Sequence, residues 1–254
     1  MVRFRLRIAY DGSAFHGWQV QAEGRTVQGE LEGALGAILG GPVRVHGSGR
    51  TDSGVHALGQ TAHFDAPGEA SAIPWVRALN ANLPPDVRVL AAGAVPETFH
   101  ARYSATGKTY AYTLWPCSAP LPPQRRMFVW ACGPLDLERM DRAAASLLGE
   151  HDFAAFQNAG TEVESTVREV TSCARSAGAF AGEVVWRFSA TGFLKQMVRN
   201  MVGCLAAVGR GKLAPEDVPA LLERGDRTLA PATAPAHGLA LERVDYADFP
   251  DFPE

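Results

Sequence analysis

The sequence has no apolar stretch approaching the ~20 residues that a membrane-spanning helix needs. Its N terminus, MVRFRLRIAY, alternates arginine with apolar residues, whereas a secretory signal needs an unbroken apolar run. The expected compartment is the cytoplasm. Cysteine is scarce: Cys117, Cys132, Cys173 and Cys204 form no C-x-x-C pair, and no histidine stands at zinc-finger spacing from them. They are expected to be reduced thiols packed as small hydrophobes. Neither G-x-G-x-x-G nor G-x-x-x-x-G-K-[ST] occurs, so no dinucleotide or triphosphate loop is indicated. No nucleophilic serine or cysteine motif and no metal cluster is indicated either. Excess positive charge is also missing, with a formal net charge of −3. That average hides an acidic C terminus, where Glu242, Asp245, Asp248, Asp251 and Glu254 face only Arg243. Binding a polyanion needs a local basic patch rather than a basic total, so RNA is allowed as a partner and not demanded.

What is present is an ordinary globular composition, 46% hydrophobic and 20% charged over 254 residues. Residues 2–10 alternate Val2, Phe4, Leu6, Ile8 and Tyr10 with Arg3, Arg5 and Arg7, a half-buried strand. Thr26 can cap a helix over 26–39 with Val27, Leu31, Leu35 and Ile38 on one side. Residues 43–46 and 60–65 read as strands, Pro74 starts a helix through Leu83, and 86–95 read as a strand. This β-α-β-β-α-β order is the ferredoxin-like arrangement. The second half repeats it: strand 108–115, a helix capped by Asp136 with Leu137, Met140, Ala144 and Leu147, strands 166–175 and 183–190, helix 192–208, a short helix after Pro215, and strand 238–246. The expected fold is α+β, two fused ferredoxin-like units, 1–105 and 106–254, with a proline-rich loop at 116–126. Side by side they would form a broad mixed or antiparallel sheet with a central RNA-binding cleft.

The most unusual stretch is GSGRTDSGVHALGQTAHF, residues 47–64. In an extended segment residues two apart share a side, so Arg50 and Asp52 can point the same way. An adjacent guanidinium favours an ionised carboxylate. Gly47, Gly49 and Gly54 permit tight turns or close approach to a bulky ligand. The plainer alternative is a turn acid bonding its own backbone. If Asp52 is catalytic, the chemistry requires only one carboxylate and no cofactor, unlike glycoside hydrolysis with its two.

GRTDSGVHA (49–57) resembles the active-site motif of the tRNA pseudouridine synthase A family. YDGSAFHGWQVQ (10–21) resembles its first-loop motif, with Ser13 where Thr is common, and FHARYSATGKTYAY (99–112) its domain-junction segment. HDFAAF (151–156), FLKQMVRNMVG (193–203) and DRTLAPATAPAHGL (226–239) follow in order. Lys195-Gln196 departs from the family pattern, which has His or an aromatic before the Met-Val-Arg-Asn run. The resemblance implies isomerisation of uridine to pseudouridine at positions 38–40 of the tRNA anticodon stem-loop, a homodimer and no cofactor. The uracil leaves C1′, turns and rejoins through C5, so one carboxylate, as nucleophile or as base at the sugar, can serve both halves. A base in a stem-loop has to be extruded first. The resemblance implies that Asp52 is catalytic, that Arg50 fills the gap left by the base, that Tyr110 stacks on the uracil, and that Arg199 keeps Asp52 ionised. Read without it, Tyr110 is equally a core aromatic and Arg199 a surface arginine, one of an i, i+4 pair with Lys195. Arg3, Arg5, Arg7, Lys108, Lys195, Arg125 and Arg126 are candidate RNA contacts. His16, His56 and His63 are read as structural or RNA-contacting. Two other functions stay open on the residues alone: an RNA-binding module without activity, although no RNP-type run is present, and a nucleoside-cleaving hydrolase using Asp52.

Overall fold

The computed structural model describes residues 1–158, 160, 163–249 and 252. Asp251 and Glu254 of the acidic C terminus lie outside the described residues. In chain order the elements are β1 (Val2–Tyr10), α1 (Val27–Leu39), β2 (His46–Gly47), β3 (His56–Ala66), α2 (Trp75–Asn82), β4 (Val87–Val95), β5 (Gly107–Trp115), β6 (Trp130–Ala131), α3 (Leu137–Ala145), β7 (Gly149–Asp152), β8 (Val167–Ala177), β9 (Val184–Ala190), α4 (Met197–Gly209), α5 (Asp217–Arg224) and β10 (Leu239–Asp245). Short 3₁₀ turns fill several connections. The class is α+β, with parallel and antiparallel strand pairs. Among the described residues no helix is long and apolar enough to cross a membrane.

The chain divides into two compact units, Met1–Thr106 with the chain from Ala240 onward, and Gly107–Leu239. The sequence reading placed everything after residue 105 in the second unit. The difference is β10, whose Ala240 and Leu241 pair in parallel with His56 and Ala57 of β3.

In the first unit β1 lies antiparallel between β4 and β3. The outer edge of β3 is shared: β2 pairs with His63 and Ala62, and β10 with the other end. The alternation of β1 turns Phe4, Leu6 and Ile8 into the core, where Phe4, Phe64 and Trp75 pack with ring centroids 5.0–5.4 Å apart. Helix α1 starts where Thr26 Oγ1 accepts the Gly29 amide, and it ends at Gly40 in the left-handed region. Its buried residues, Val27, Leu31, Ala34 and Leu35, follow the helical period. The strand expected over 43–46 is reduced to His46–Gly47. The cause is α1: Glu32 accepts the Val45 amide at 3.0 Å and Gln28 Nε2 donates to the Val45 carbonyl at 3.0 Å, so side chains hold the groups a strand partner would use.

The second unit runs β5-β9-β8-β7, with antiparallel neighbours and β6 parallel on β5. Asp136 caps α3 by accepting the Arg139 amide at 3.0 Å. Helices α3 and α4 pack together, and α4 buries Met197, Met201 and Leu205. The helix expected over 192–208 begins only at Met197, because Gln196 at φ 61° breaks the helical run. Phe193 and Lys195 therefore precede it. β6 and β7, at two and four residues, had no periodic pattern to announce them. All four cysteines are free thiols, and burial pushes Cys132 up to about 11 and Cys173 and Cys204 up to about 12.

One ion pair ties the segment before α1 to the turn before β4. Arg25 Nη1 and Nη2 donate to Asp86 Oδ2 and Oδ1 at 2.6 and 2.8 Å. The guanidinium holds the Asp86 carboxyl below its usual range. A carboxylate depressed in the folded state adds stability above its unfolded value of about 4 and loses it as pH falls through the folded value. Urea unfolding between pH 6 and pH 2 should therefore show Asp86→Asn starting less stable, with a shallower acid limb than the parent. An unchanged acid limb would show that this pair contributes nothing.

Candidate active site

Asp52 sits in the loop between β2 and β3, and neighbouring main chain fixes that loop on three sides. On its entry limb the Ser48 amide donates to Thr61 O at 2.8 Å, Ser48 Oγ donates to Gln60 Oε1 at 2.6 Å, and Gln60 Nε2 donates to Gly49 O at 3.0 Å. At its centre the Trp18 amide donates to Thr51 O at 3.1 Å, and the Tyr10 hydroxyl meets Thr51 Oγ1 at 2.7 Å in the core. Burial drives the Tyr10 phenol well above its ordinary value, so it is neutral. On the exit limb the Val55 amide closes a turn on Asp52 O at 3.1 Å, while Ser53 Oγ and the Gly54 amide both donate to Phe15 O. Gly54 takes φ +77° to make that turn.

The first-loop motif thus clasps the second. Two of its glycines are needed for the contact. A Cβ on Gly12 would stand 2.0 Å from the Val55 carbonyl oxygen, and one on Gly17, itself at φ +92°, 2.6 Å from Thr51 O. The Gly12 amide donates to His56 Nδ1 at 3.0 Å, and Asp11 Oδ1 lies 3.2 Å from the same nitrogen, with His56 buried at the head of β3. Thr51 points inward and is buried, while Arg50 is exposed and Asp52 half-buried on either side of it. The two charged residues therefore share the outward side. Arg50 Nε donates to Gln19 Oε1 at 3.2 Å, and Gln19 Nε2 donates to Gln28 Oε1 at 2.7 Å, so an amide relay from α1 steadies the arginine. Sequence reasoning missed Gln19 and Gln28, although Gln19 belongs to the YDGSAFHGWQVQ motif.

In the second unit Tyr110 lies on β5, 8% exposed, with its ring in a T-shaped pair with Phe193 at 5.2 Å. Lys108, on the same side of the strand, is half-buried. Arg199, in the first turn of α4, donates from Nε to Ala234 O at 2.8 Å, and the Ala234 amide returns a bond to Arg199 O at 3.1 Å. Arg227 holds the loop that makes this contact. Its Nε donates to Asn158 Oδ1, Nη1 to the carbonyls of Ala230 and Pro231, and Nη2 to Asn200 Oδ1 and Thr233 Oγ1, all at 2.9–3.1 Å. That engages all five guanidinium donors. The sequence drew attention to Arg199 and passed over Arg227, whose partners are scattered along the chain.

Several expected RNA contacts are engaged inside their own units. Arg3 forks onto Asp65 at 2.8 and 2.9 Å and also donates to the carbonyls of Glu97 and Phe99. Arg5 is 4% exposed, its guanidinium 4.6 Å from the Tyr246 ring centroid and 4.7 Å from that of Phe252. Arg7 lies 5.7 Å from Phe252. Arg5 and Arg7, expected as RNA contacts, thus lie against aromatics that follow β10. Arg125 pairs at 2.6 Å with Glu183, whose side chain is 1% exposed, so it neutralises a buried acid. Arg126 and Lys195 are exposed. Because Lys195 precedes α4, it forms no helical i, i+4 pair with Arg199. His16 is exposed and His63 buried. Among the described residues no three His, Cys, Asp or Glu side chains come together as a metal site.

The motif that carries the Asp52 carboxylate, GRTDSGVHA, is the one whose resemblance points to an RNA-modifying isomerase. A family model described as tRNA pseudouridine synthase matches residues 7–104 and 143–247, and the chain belongs to that family. It is 57% identical over 251 residues to the tRNA pseudouridine synthase A of Solidesulfovibrio magneticus, covering 97% of this chain and 92% of that one. It is 55% identical over 248 residues to that of Maridesulfovibrio salexigens (98% and 92% covered), and 44% over 246 residues to that of Coxiella burnetii strain Dugway 5J108-111 (97% and 94% covered). The family is one of isomerases, which sets aside the binding-only and hydrolase alternatives.

Gly12→Ala tests the clasp. Its new methyl group meets backbone, which has to move. A core overpacked in this way loses about 1–3 kcal/mol, and a ~1 Å displacement of a catalytic group lowers turnover about 100-fold. The variant should fold, unfold at lower urea, and form pseudouridine about 100-fold more slowly. Normal turnover would mean that the loop keeps its position without the clasp.

Proposed function

We propose that this chain converts uridine to pseudouridine at positions 38–40 of the tRNA anticodon stem-loop, with Asp52 as the catalytic carboxylate. The observation that carries the reading is Asp52 itself, held outward on a loop whose flanking residues match the family's motif. In the reaction the N1–C1′ bond breaks and a C5–C1′ bond forms. The proton lost from C5 is balanced by one gained at N1. Nothing is oxidised, no water is consumed, and one carboxylate at the sugar serves both bond changes. Arg50, exposed beside Asp52, takes the place of the extruded base. Tyr110 lies against the uracil, and Arg199 supports the charge of Asp52. Lys108, Lys195, Arg126 and the outer part of Arg7 contact the RNA backbone. Arg3, Arg5 and Arg125 are left out of this set, because their guanidinium groups already have partners within the fold. The chain works in the cytoplasm.

Pseudouridine mapping by base-specific chemistry on an unmodified tRNA transcript tests these roles. Asp52→Asn keeps the shape and removes the charge. It should abolish product while binding tRNA within a few-fold of the parent, and a variant with normal turnover would remove Asp52 from the mechanism. Base–aromatic stacking is worth ~1–3 kcal/mol with or without a hydroxyl, so Tyr110→Phe should retain the product and Tyr110→Ala lose most of it. If the Phe variant is as inactive as Ala, the hydroxyl takes part in chemistry.

The chain is also proposed to act as a two-fold homodimer, in which one subunit holds the tRNA body while the other performs the reaction. Light scattering at micromolar concentration should give about twice the 27.1 kDa chain mass. A fully active species of single-chain mass would contradict this.

A further inference from the structure

Apart from the Asp52 loop, the first unit contains four rings in contact. His63, on β3, is buried. His46 stacks on it with centroids 5.0 Å apart and planes 17° apart, and His100 meets it at 4.7 Å. Tyr103 is the outermost, 77% exposed, with its ring 4.4 Å from His100. The Arg102 guanidinium lies 5.6 Å from the Tyr103 centroid.

This arrangement is built into the backbone. His63 Nδ1 accepts the Ala101 amide at 3.1 Å, and His100 Nδ1 accepts the amides of Arg102 and Tyr103 at 3.1 and 3.3 Å. The Ser104 amide donates to His100 O at 2.9 Å, and Ser104 Oγ accepts the His100 amide at 3.0 Å. Burial pulls His63 down to about 4 and lowers His100 as well, so both rings are neutral at pH 7. Arg3, which faces both, is paired with Asp65. The fold uses Phe99 in the core and Ala101 as a backbone anchor, yet it leaves Arg102 and Tyr103 facing water.

We propose that Tyr103 and Arg102 form a stacking platform for an unpaired nucleotide of the RNA substrate, the ring under a base and the guanidinium at the neighbouring phosphate. The proposal rests on the tRNA reading above. Unpaired bases select an aromatic face with a cation beside it, because every base has a π-face and every linkage a charge. The ring stack and hydrogen-bonded turn hold the tyrosine in place before the RNA arrives, so little ordering cost remains. A protein partner would bury a wider apolar area, whereas the exposed side chain that lies against Tyr103 is the charged Arg102. The platform is also remote from the reaction. β3 leaves the Asp52 loop at His56, and His63 lies seven residues further on, roughly 23 Å at ~3.3 Å per residue. It therefore takes a nucleotide other than the reacting uridine.

Binding of an unmodified tRNA transcript, steady-state kinetics, thermal unfolding and light scattering on Tyr103→Phe, Tyr103→Leu, Tyr103→Ala and Arg102→Ala test the platform. Tyr103→Phe should bind within about two-fold of the parent. Tyr103→Leu and Tyr103→Ala should raise Kd and KM roughly 5- to 150-fold, with a much smaller change in kcat and no change in Tm. Arg102→Ala should reduce the salt slope of binding by about one counterion. Normal binding by Tyr103→Ala, or Leu binding as well as Phe, overturns the proposal. So does a loss of affinity that follows a change in mass, since the ring would then be a subunit contact. A parent that binds tRNA and forms no pseudouridine would reject the catalytic reading while leaving the platform in place.

Discussion

The approach of one backbone to another governs this molecule. The carboxylate assigned to catalysis is carried by a loop with no ladder of its own, and the main chain of residues 12–18 runs against it. With Gly12 packed on Val55 and Gly17 on Thr51, there is no room for even a methyl group between the segments. Amide-to-carbonyl bonds from Trp18 and Gly54 then set the height of Thr51 and its two outward neighbours. Side chains hop between rotamers, and a main-chain clasp has few alternatives. The site is precise because its supporting contacts involve so few rotatable bonds.

The second unit reaches a comparable result by other means. There the groups to be held are the first turn of α4 and the loop around Ala234, and a side chain holds them. The planar fork of Arg227 has five donors and five acceptors, drawn from three stretches of sequence. A lysine offers three donors on a flexible stem and could not reproduce this. Gln196, left-handed before the helix, aims its carbonyl at the Asn200 amide at 2.9 Å and its side chain at Asn158, so the start of α4 belongs to the same network. Arg199 is thus bound to a surface that cannot easily tilt.

The sequence showed the parts that depend on neighbours in the chain. The alternation of β1, the Thr26 and Asp136 caps, and the apolar period of α1 are local patterns, and each element stands where its pattern lies. The Asp52 loop was legible as a motif, and Thr51 turning inward between Arg50 and Asp52 follows from the two-residue period. Contacts between distant segments were not legible. Val45 was lost to a strand because side chains of α1 take its backbone groups. Of the three arginines that look solvent-facing on β1, Arg5 and Arg7 lie against aromatics that follow β10, and Arg3 is forked onto Asp65. Arg125 reads as a free charge in a proline-rich loop until Glu183 is seen buried beneath it. A charged residue on a polar face is the commonest of surface patterns, so nothing in its immediate sequence marks it as engaged.

The parallel pairing of β10 with β3 has a consequence for biogenesis. Residues 240 and 241 complete the edge of a strand that begins at residue 56, directly after the Asp52 loop, and Gly59 admits the Glu242 carbonyl so closely that a Cβ there would stand 2.5 Å from it. The ribosome makes the chain from its N terminus, so this strand waits for this partner until residues 240 and 241 have been made. Until then the edge of β3 beside the loop is open, and Arg5 and Arg7 lack the rings of Tyr246 and Phe252. The nascent enzyme therefore acquires its finished active-site strand only after residue 241 has emerged, and a polypeptide released before that point cannot carry one.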